Sequence, residues 1–194
     1  MRRLSIIVAV WFALASSAQA AASLDYTRTI LQQARTIAAG NQTHNEKLVA
    51  LSALFGKFLD TDAMGREALG EHWSSFTPAQ QKEFLELFRE LLQRTYVQKL
   101  LLFENPDFVY AGQQLTGNGA TVDTKIVTPR DQFDVSYRLT PAGDNWIATA
   151  ITVEDVSLTA NLGSQLSDLL ARMSVDDLLT LMRRKYGNPG GEVS

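Results

Sequence analysis

Two histidines, His44 and His72, and no cysteine set the first limit on the chemistry open to this 194-residue chain. A zinc site needs closely spaced His, Cys or carboxylate ligands. The two histidines lie far apart in sequence and lack an H-x-x-x-H companion, so both read as surface residues. Thiol chemistry is excluded outright. There is no G-x-S-x-G, Walker A or G-x-G-x-x-G segment, and Gly117-Asn118-Gly119 reads as a hairpin turn rather than a phosphate loop. What remains for proton transfer is a pair of strand carboxylates, Asp134 and Glu154. They could form a buried acid and base, as where a curved sheet wrapped round helices encloses a steroid isomerase site. Asp134 alternates with Phe133 and Val135, however, which puts it on the opposite, solvated face. The sequence therefore assigns no catalytic residue, no metal ligand and no cofactor, and reads as a non-enzyme.

The elements that position these residues change character midway. Thr77 to Phe103 predicts one long helix: Thr77 is an N-cap, Pro78 fits the first helical position, and Gln80 completes a capping box. Phe84, Leu87, Phe88, Leu91, Leu92, Tyr96 and Leu100 recur at helical spacing, opposite Glu86, Arg89, Glu90 and Arg94. At its rise per residue such a helix spans roughly 39 Å, the width of a domain, so it must cross the core. Helices are also predicted over 23–40, from the Thr43-x-x-Glu46 box through Leu59, and over 62–69, where Gly70 stops the last. Asn105-Pro106 ends the helical half. The period then becomes two: Phe108 and Tyr110; Val122, Thr124 and Ile126; Phe133, Val135, Tyr137 and Leu139; Ile147, Thr149, Ile151 and Val153. Short connections of turn-forming residues favour hairpins, hence a four-stranded antiparallel meander. After Leu158 two more helices follow, carrying Leu162, Leu166, Leu169 and Leu170, then Val175, Leu178, Leu179 and Met182 behind the cap Ser174. The fold class is α+β, with the helices before and after the sheet packed on one of its faces.

The first residues read as an export signal, with an uncleaved N-terminal anchor as the alternative: Arg2 and Arg3, the apolar run from Leu4 to Leu14, then Ala18-Gln19-Ala20. The apolar run is too short to span a bilayer. Cleavage after about Ala20 leaves 174 residues, one domain over 21–188, and a disordered tail over 189–194. It also moves the formal charge from −3 to −5. A mildly acidic, cysteine-free exported chain fits a bacterial periplasm and a monomer, and argues against nucleic acid as a partner.

The run from Ala68 to Tyr96, ALGEHWSSFTPAQQKEFLELFRELLQRTY, resembles the signature of the MlaC family, periplasmic phospholipid carriers of the Mla (maintenance of lipid asymmetry) pathway. In that family ALG-x-x-W leads to TPEQQ-x-EF and F-x-x-LL-x-x-TY. A second segment, W-x-V-Y-D-V-x-V-E-G-V-S-L then N-Y-R-x-Q-F, is matched by Trp146, Ile151, Val153, Glu154, Val156, Ser157, Leu158, Asn161 and Gln165. The departures are Ala150 for an acid, Asp155 for Gly, Leu162-Gly163 for Tyr-Arg, and Leu166 for the aromatic. The resemblance implies a carrier that holds a phospholipid by its acyl tails between sheet and helices, with the headgroup near the mouth and little selected. It also implies two partners: an inner-membrane ABC transporter complex with a lipid-binding ring protein, and an outer-membrane lipoprotein associated with a porin. Apolar stripes alone do not separate a filled core from a cavity. By stripe and strand face, Phe58, Met64, Leu69, Trp73, Phe88, Leu92, Tyr96, Val135, Tyr137, Ile151 and Val153 are the expected lining. Two alternatives stay open: a carrier of a polycyclic lipid such as a hopanoid, suggested by the departures after Leu158, and an isomerase-type enzyme using Asp134 or Glu154.

Overall fold

The computed structural model describes residues 4–103 and 106–187, with side chains from Ala22 onward. Arg2 and Arg3, Asn105, Asn188 and the expected tail over 189–194 lie outside these. Helix α1 runs over Leu4–Ala39, so the helix expected from Ser23 is the later part of a longer one. Among the described residues no helix is long and apolar enough to cross a membrane.

Local chemistry sets the other helix starts. Helix α2 (His44–Phe58) begins at Thr43, whose hydroxyl accepts from the Glu46 N–H at 3.3 Å while the Glu46 carboxylate accepts from the Thr43 N–H at 2.9 Å. Helix α3 (Thr61–Leu69) starts a residue before Asp62 because Asp60 caps it, accepting from the Ala63 N–H at 2.9 Å. Gly70 ends it at φ 51°, a conformation that costs a glycine little, and a 3₁₀ turn over Gly70–Ser75 follows. Helix α4 (Pro78–Leu92) starts at the predicted Thr77–Gln80 box. The long helix expected as far as Phe103 is continuous but not regular: a π-helical turn over Gln93–Val97 joins α4 to α5 (Gln98–Leu102).

The sheet is an antiparallel meander in the order β1-β2-β3-β4-β5. Its strands are β1 (Asp107–Thr116), β2 (Gly119–Val127), β3 (Gln132–Ala142), β4 (Asn145–Val153) and β5 (Val156–Ser157). The count is five, not four. Glu154 and Asp155 stand at φ 50° and 62°, the left-handed pair of a tight two-residue hairpin turn, so the chain doubles back and Val156 pairs with Val153. Two residues are too short a run to show alternation, and the turn carries no glycine to announce it.

The helices also differ from the expectation of one covered face; they flank the sheet on both sides. Helices α1, α2 and α5 cover the face that carries Val122, Val135, Tyr137, Leu139 and Ala148. Helix α6 (Leu158–Leu170) reaches β4 and β5, and with α7 (Val175–Tyr186) joins α3 and α4 in a second cluster. The reason is where the stripes find partners. Leu162, Leu166, Leu178, Leu179 and Met182 bury mainly with Met64, Phe84 and Phe88 of other helices, with Ile151 of β4 at the cluster's edge.

Candidate functional site

Between the sheet and the helices lies a pocket of about 600 Å³, within the usual range for small-molecule sites. The helical wall is the end of α4, the π turn and α5, through Leu92, Gln93, Tyr96, Val97, Leu100 and Phe103. A π turn inserts an extra residue into the helical face, and such turns cluster at functional sites. The facing wall is set by strand register. Phe108, Ile126 and Phe133 stand opposite one another across β1, β2 and β3, while Val135 faces Val153 and Tyr137 faces Ile151 across β3 and β4. Phe55 of α2 and Leu59 just after it close one side, and Val156 and Leu158 another. Phe103 stacks on Phe133, ring centres 5.5 Å apart, tying the two walls together.

Polar groups are few. Thr61, Arg89, Gln93, Lys99 and Asn161 are the lining residues that bring amide, hydroxyl or charge, beside the phenols of Tyr96 and Tyr137. Burial pushes the Tyr137 phenol well above its ordinary range, offset in part by its hydrogen bond with Thr124. Burial also raises Tyr96, with Tyr186 nearby adding to the rise. Both phenols stay neutral across the working pH range of proteins and supply an O–H without charge. Arg89 is held in place: its Nη2 meets the Asp62 carboxylate at 3.0 Å and its Nε lies 3.4 Å from the Thr61 hydroxyl.

Of the eleven residues expected to line a site, Leu92, Tyr96, Val135, Tyr137, Ile151 and Val153 surround this pocket. The other five stand elsewhere. Phe58 is fully buried behind the wall, edge-on to Tyr137 at 5.5 Å. Met64, Leu69 and Phe88 are interior to the all-helical cluster. Trp73 is half-buried on the 3₁₀ turn, with the Arg66 guanidinium 5.7 Å over its ring. Phe55, Leu59, Phe103, Phe108, Ile126, Phe133 and Leu158 were not expected. Phe133 shares the strand face of Val135, so its alternation was a usable signal. For Phe55 and Leu59 the α2 stripe held the information, but not which of its residues turn towards open space.

The ionisable candidates lie apart from the pocket. His44 is exposed at the start of α2, and His72 Nε2 lies 3.2 Å from the Ser167 hydroxyl. Asp134 is exposed and paired with Lys125 at 2.5 Å; Glu154 accepts from the Asp134 N–H at 2.6 Å. Among the described residues no group of three or more His, Asp or Glu is placed to hold a metal ion. The departures in α6 belong to helix packing. Leu162 is buried in the helical cluster, and a Cβ added at Gly163 would stand 2.9 Å from the Ala68 carbonyl oxygen. Neither residue lines the pocket.

Among solved structures, the chain is similar to a phospholipid-binding protein from Ralstonia solanacearum determined in complex with a phospholipid. The two superpose with a TM-score of 0.73 over 85% of this chain and 97% of that one, at 19% identity, which shows a shared fold. The family model described as MlaC protein matches residues 22–184, from the middle of α1 into the last turn of α7, and with the fold in agreement the chain belongs to the MlaC family.

Proposed function

We propose that this chain is a periplasmic lipid carrier that takes phospholipid acyl tails into the pocket between sheet and helices and shuttles lipid between membrane complexes. On this reading residues 1–20 are an export signal, 21–188 act as one domain and a monomer, and phospholipid is cargo rather than cofactor. The partners are those of the family: an inner-membrane transporter complex with its lipid-binding ring protein, and an outer-membrane lipoprotein with its porin.

One observation carries the reading: the pocket between sheet and helices is walled almost wholly by aliphatic and aromatic side chains, and neither Asp134 nor Glu154 lines it. Exposing a lipid tail to water costs roughly 0.8 kcal/mol per CH₂, so lipid leaves a bilayer slowly, and a dry pocket removes that penalty without any bond being made or broken. The solved relative of the same fold holds a phospholipid, which supports the same cargo class here. The departures at Leu162 and Gly163 lie in α6 packing and give no reason to favour a polycyclic cargo.

The test is native mass spectrometry of the protein purified from a Gram-negative host without detergent, followed by lipid extraction. A stoichiometric adduct released on denaturation as a diacyl glycerophospholipid is the expected result. A protein that carries no lipid and accepts none when phospholipid vesicles are added would overturn the proposal.

A further inference from the structure

The pocket wall contains two charged side chains, Arg89 and Lys99, and no carboxylate. They are not equivalent. Arg89 is half-buried and its charge is answered by Asp62 at 3.0 Å. Lys99 is exposed at the solvent edge of the pocket; among the described residues no carboxylate pairs with it, and its ammonium is 5.9 Å from the centre of the Tyr96 ring. Ten residues of helix, about 15 Å of axial rise, separate the backbone positions of the two cations. The strand carboxylates nearest the wall are engaged elsewhere, Asp134 with Lys125 and Glu154 with a backbone N–H.

The lipid-carrier reading puts tails among apolar residues and leaves the headgroup at the exposed edge. A glycerophospholipid carries its phosphodiester charge one glycerol unit from the tails, the distance at which a side chain on the rim first meets it. A lysine there is a mobile point charge suited to phosphate, and the Tyr96 face beneath it favours keeping the ammonium over the mouth. From this placement we infer that Lys99 is a specificity-determining residue that reads the phosphate of the cargo, so that the protein selects phosphate-bearing lipids over neutral lipids with the same tails. The inference rests on the carrier reading and goes beyond it, since apolar burial alone would favour both classes equally.

The test uses the protein stripped of endogenous lipid and loaded with a fluorescent phospholipid, which is then displaced by three unlabelled lipids with identical palmitoyl and oleoyl tails: phosphatidylglycerol, phosphatidylethanolamine and diacylglycerol. Wild type is expected to bind both phospholipids about three- to fivefold more tightly than diacylglycerol, the scale of one solvent-screened charge contact, and the gap should narrow as salt rises. Lys99→Ala should close the gap by weakening only the phospholipids. Lys99→Arg should retain it, and Lys82→Ala, which removes an equal charge from the outer face of α4, should leave it unchanged. Equal binding of all three lipids by wild type, or an undiminished gap in Lys99→Ala, overturns the inference. Failure of all three lipids to bind would instead sink the carrier reading beneath it.

Discussion

The molecule buries its apolar surface in two clusters built from similar residues to different ends. In the all-helical one, Phe84 and Phe88 lie with ring centres 5.6 Å apart among Met64, Leu69, Leu178 and Leu179, all at 2% exposure or less. In the other, α1, α2 and the π turn lie over the sheet, and here a pocket of about 600 Å³ persists beside fully buried Leu51, Phe58 and Val122. Helices can slide and rotate until their ridges fill one another's grooves. A helix laid over a sheet meets side chains whose spacing is fixed by strand register, and a π turn in that helix further breaks the match. Two clusters of similar apolar residues therefore differ in how fully they close.

If that contrast is right, its largest effect comes from emptying the closed cluster. Phe88→Ala should destabilise the protein by about 3–5 kcal/mol, measured by urea unfolding, because neighbours held on four helices collapse little into the space left. A loss near 1 kcal/mol would mean the helical cluster is not close-packed and that the distinction fails.

Overfilling separates the two regions from the other direction. Leu178→Trp, in the closed cluster, should cost about 1–3 kcal/mol or more, since there is no space for the added ring. Val135→Trp places a similar ring against open volume and should cost well under that, while displacing bound lipid. Equal destabilisation by the two substitutions would show the pocket to be as tightly filled as the core. A Val135→Trp protein that keeps its full lipid load would remove this pocket as the cargo site.

How much of this was legible in the sequence follows the range of the interaction involved. The capping boxes at Thr43 and Thr77 and the Gly70 stop are settled within a few residues, and they stand where the sequence puts them. Alternation identified β2, β3 and β4 and placed Val135, Tyr137, Ile151 and Val153 on one face. Phe88 and Leu92 look alike on the same helical stripe, yet Phe88 is interior to the helical cluster while Leu92 also reaches the pocket. That difference is set by where the π turn falls and where α6 and α7 dock, information carried by residues nearly a hundred positions away. Strand β5 was hidden for a local reason: Glu154 and Asp155 adopt positive φ without a glycine, and Asp is among the few residues that do so at modest cost.

A smaller effect probes the seam where α3 meets α6. Alanine at Gly163 gains up to about 1 kcal/mol of helix propensity, but its Cβ would stand 2.9 Å from the Ala68 backbone oxygen, so the two helices must separate. Overpacking of this kind costs about 1–3 kcal/mol, leaving a net destabilisation of about 1 kcal/mol in thermal or urea unfolding, with lipid loading unchanged because the residue is not on the pocket wall. Net stabilisation would show that the seam relaxes freely and that Gly163 is not there for close approach.

The smallest effect compares three capping boxes that differ in one respect. In α2 and α7 the side chain returning to the cap is a carboxylate, Glu46 or Asp177; in α4 it is the neutral Gln80. Hydrogen bonds from Thr43 hold the Glu46 carboxyl below its ordinary range, and those from Ser174 do the same for Asp177. A carboxyl depressed in the folded state stabilises that state above its unfolded pKa, and the contribution is lost as pH falls through the folded value. Amide hydrogen exchange in the first turns of α2 and α7 should therefore quicken as the solution is taken from neutral to below the carboxylate range, after correction for intrinsic exchange, while the first turn of α4 holds its protection. Glu46→Gln and Asp177→Asn should remove the pH dependence from their own helix alone. Since α2 lies over the pocket and α7 belongs to the closed cluster, the two variants also separate acid loosening of the site from acid loosening of the core: only Glu46→Gln should alter how lipid retention falls with pH.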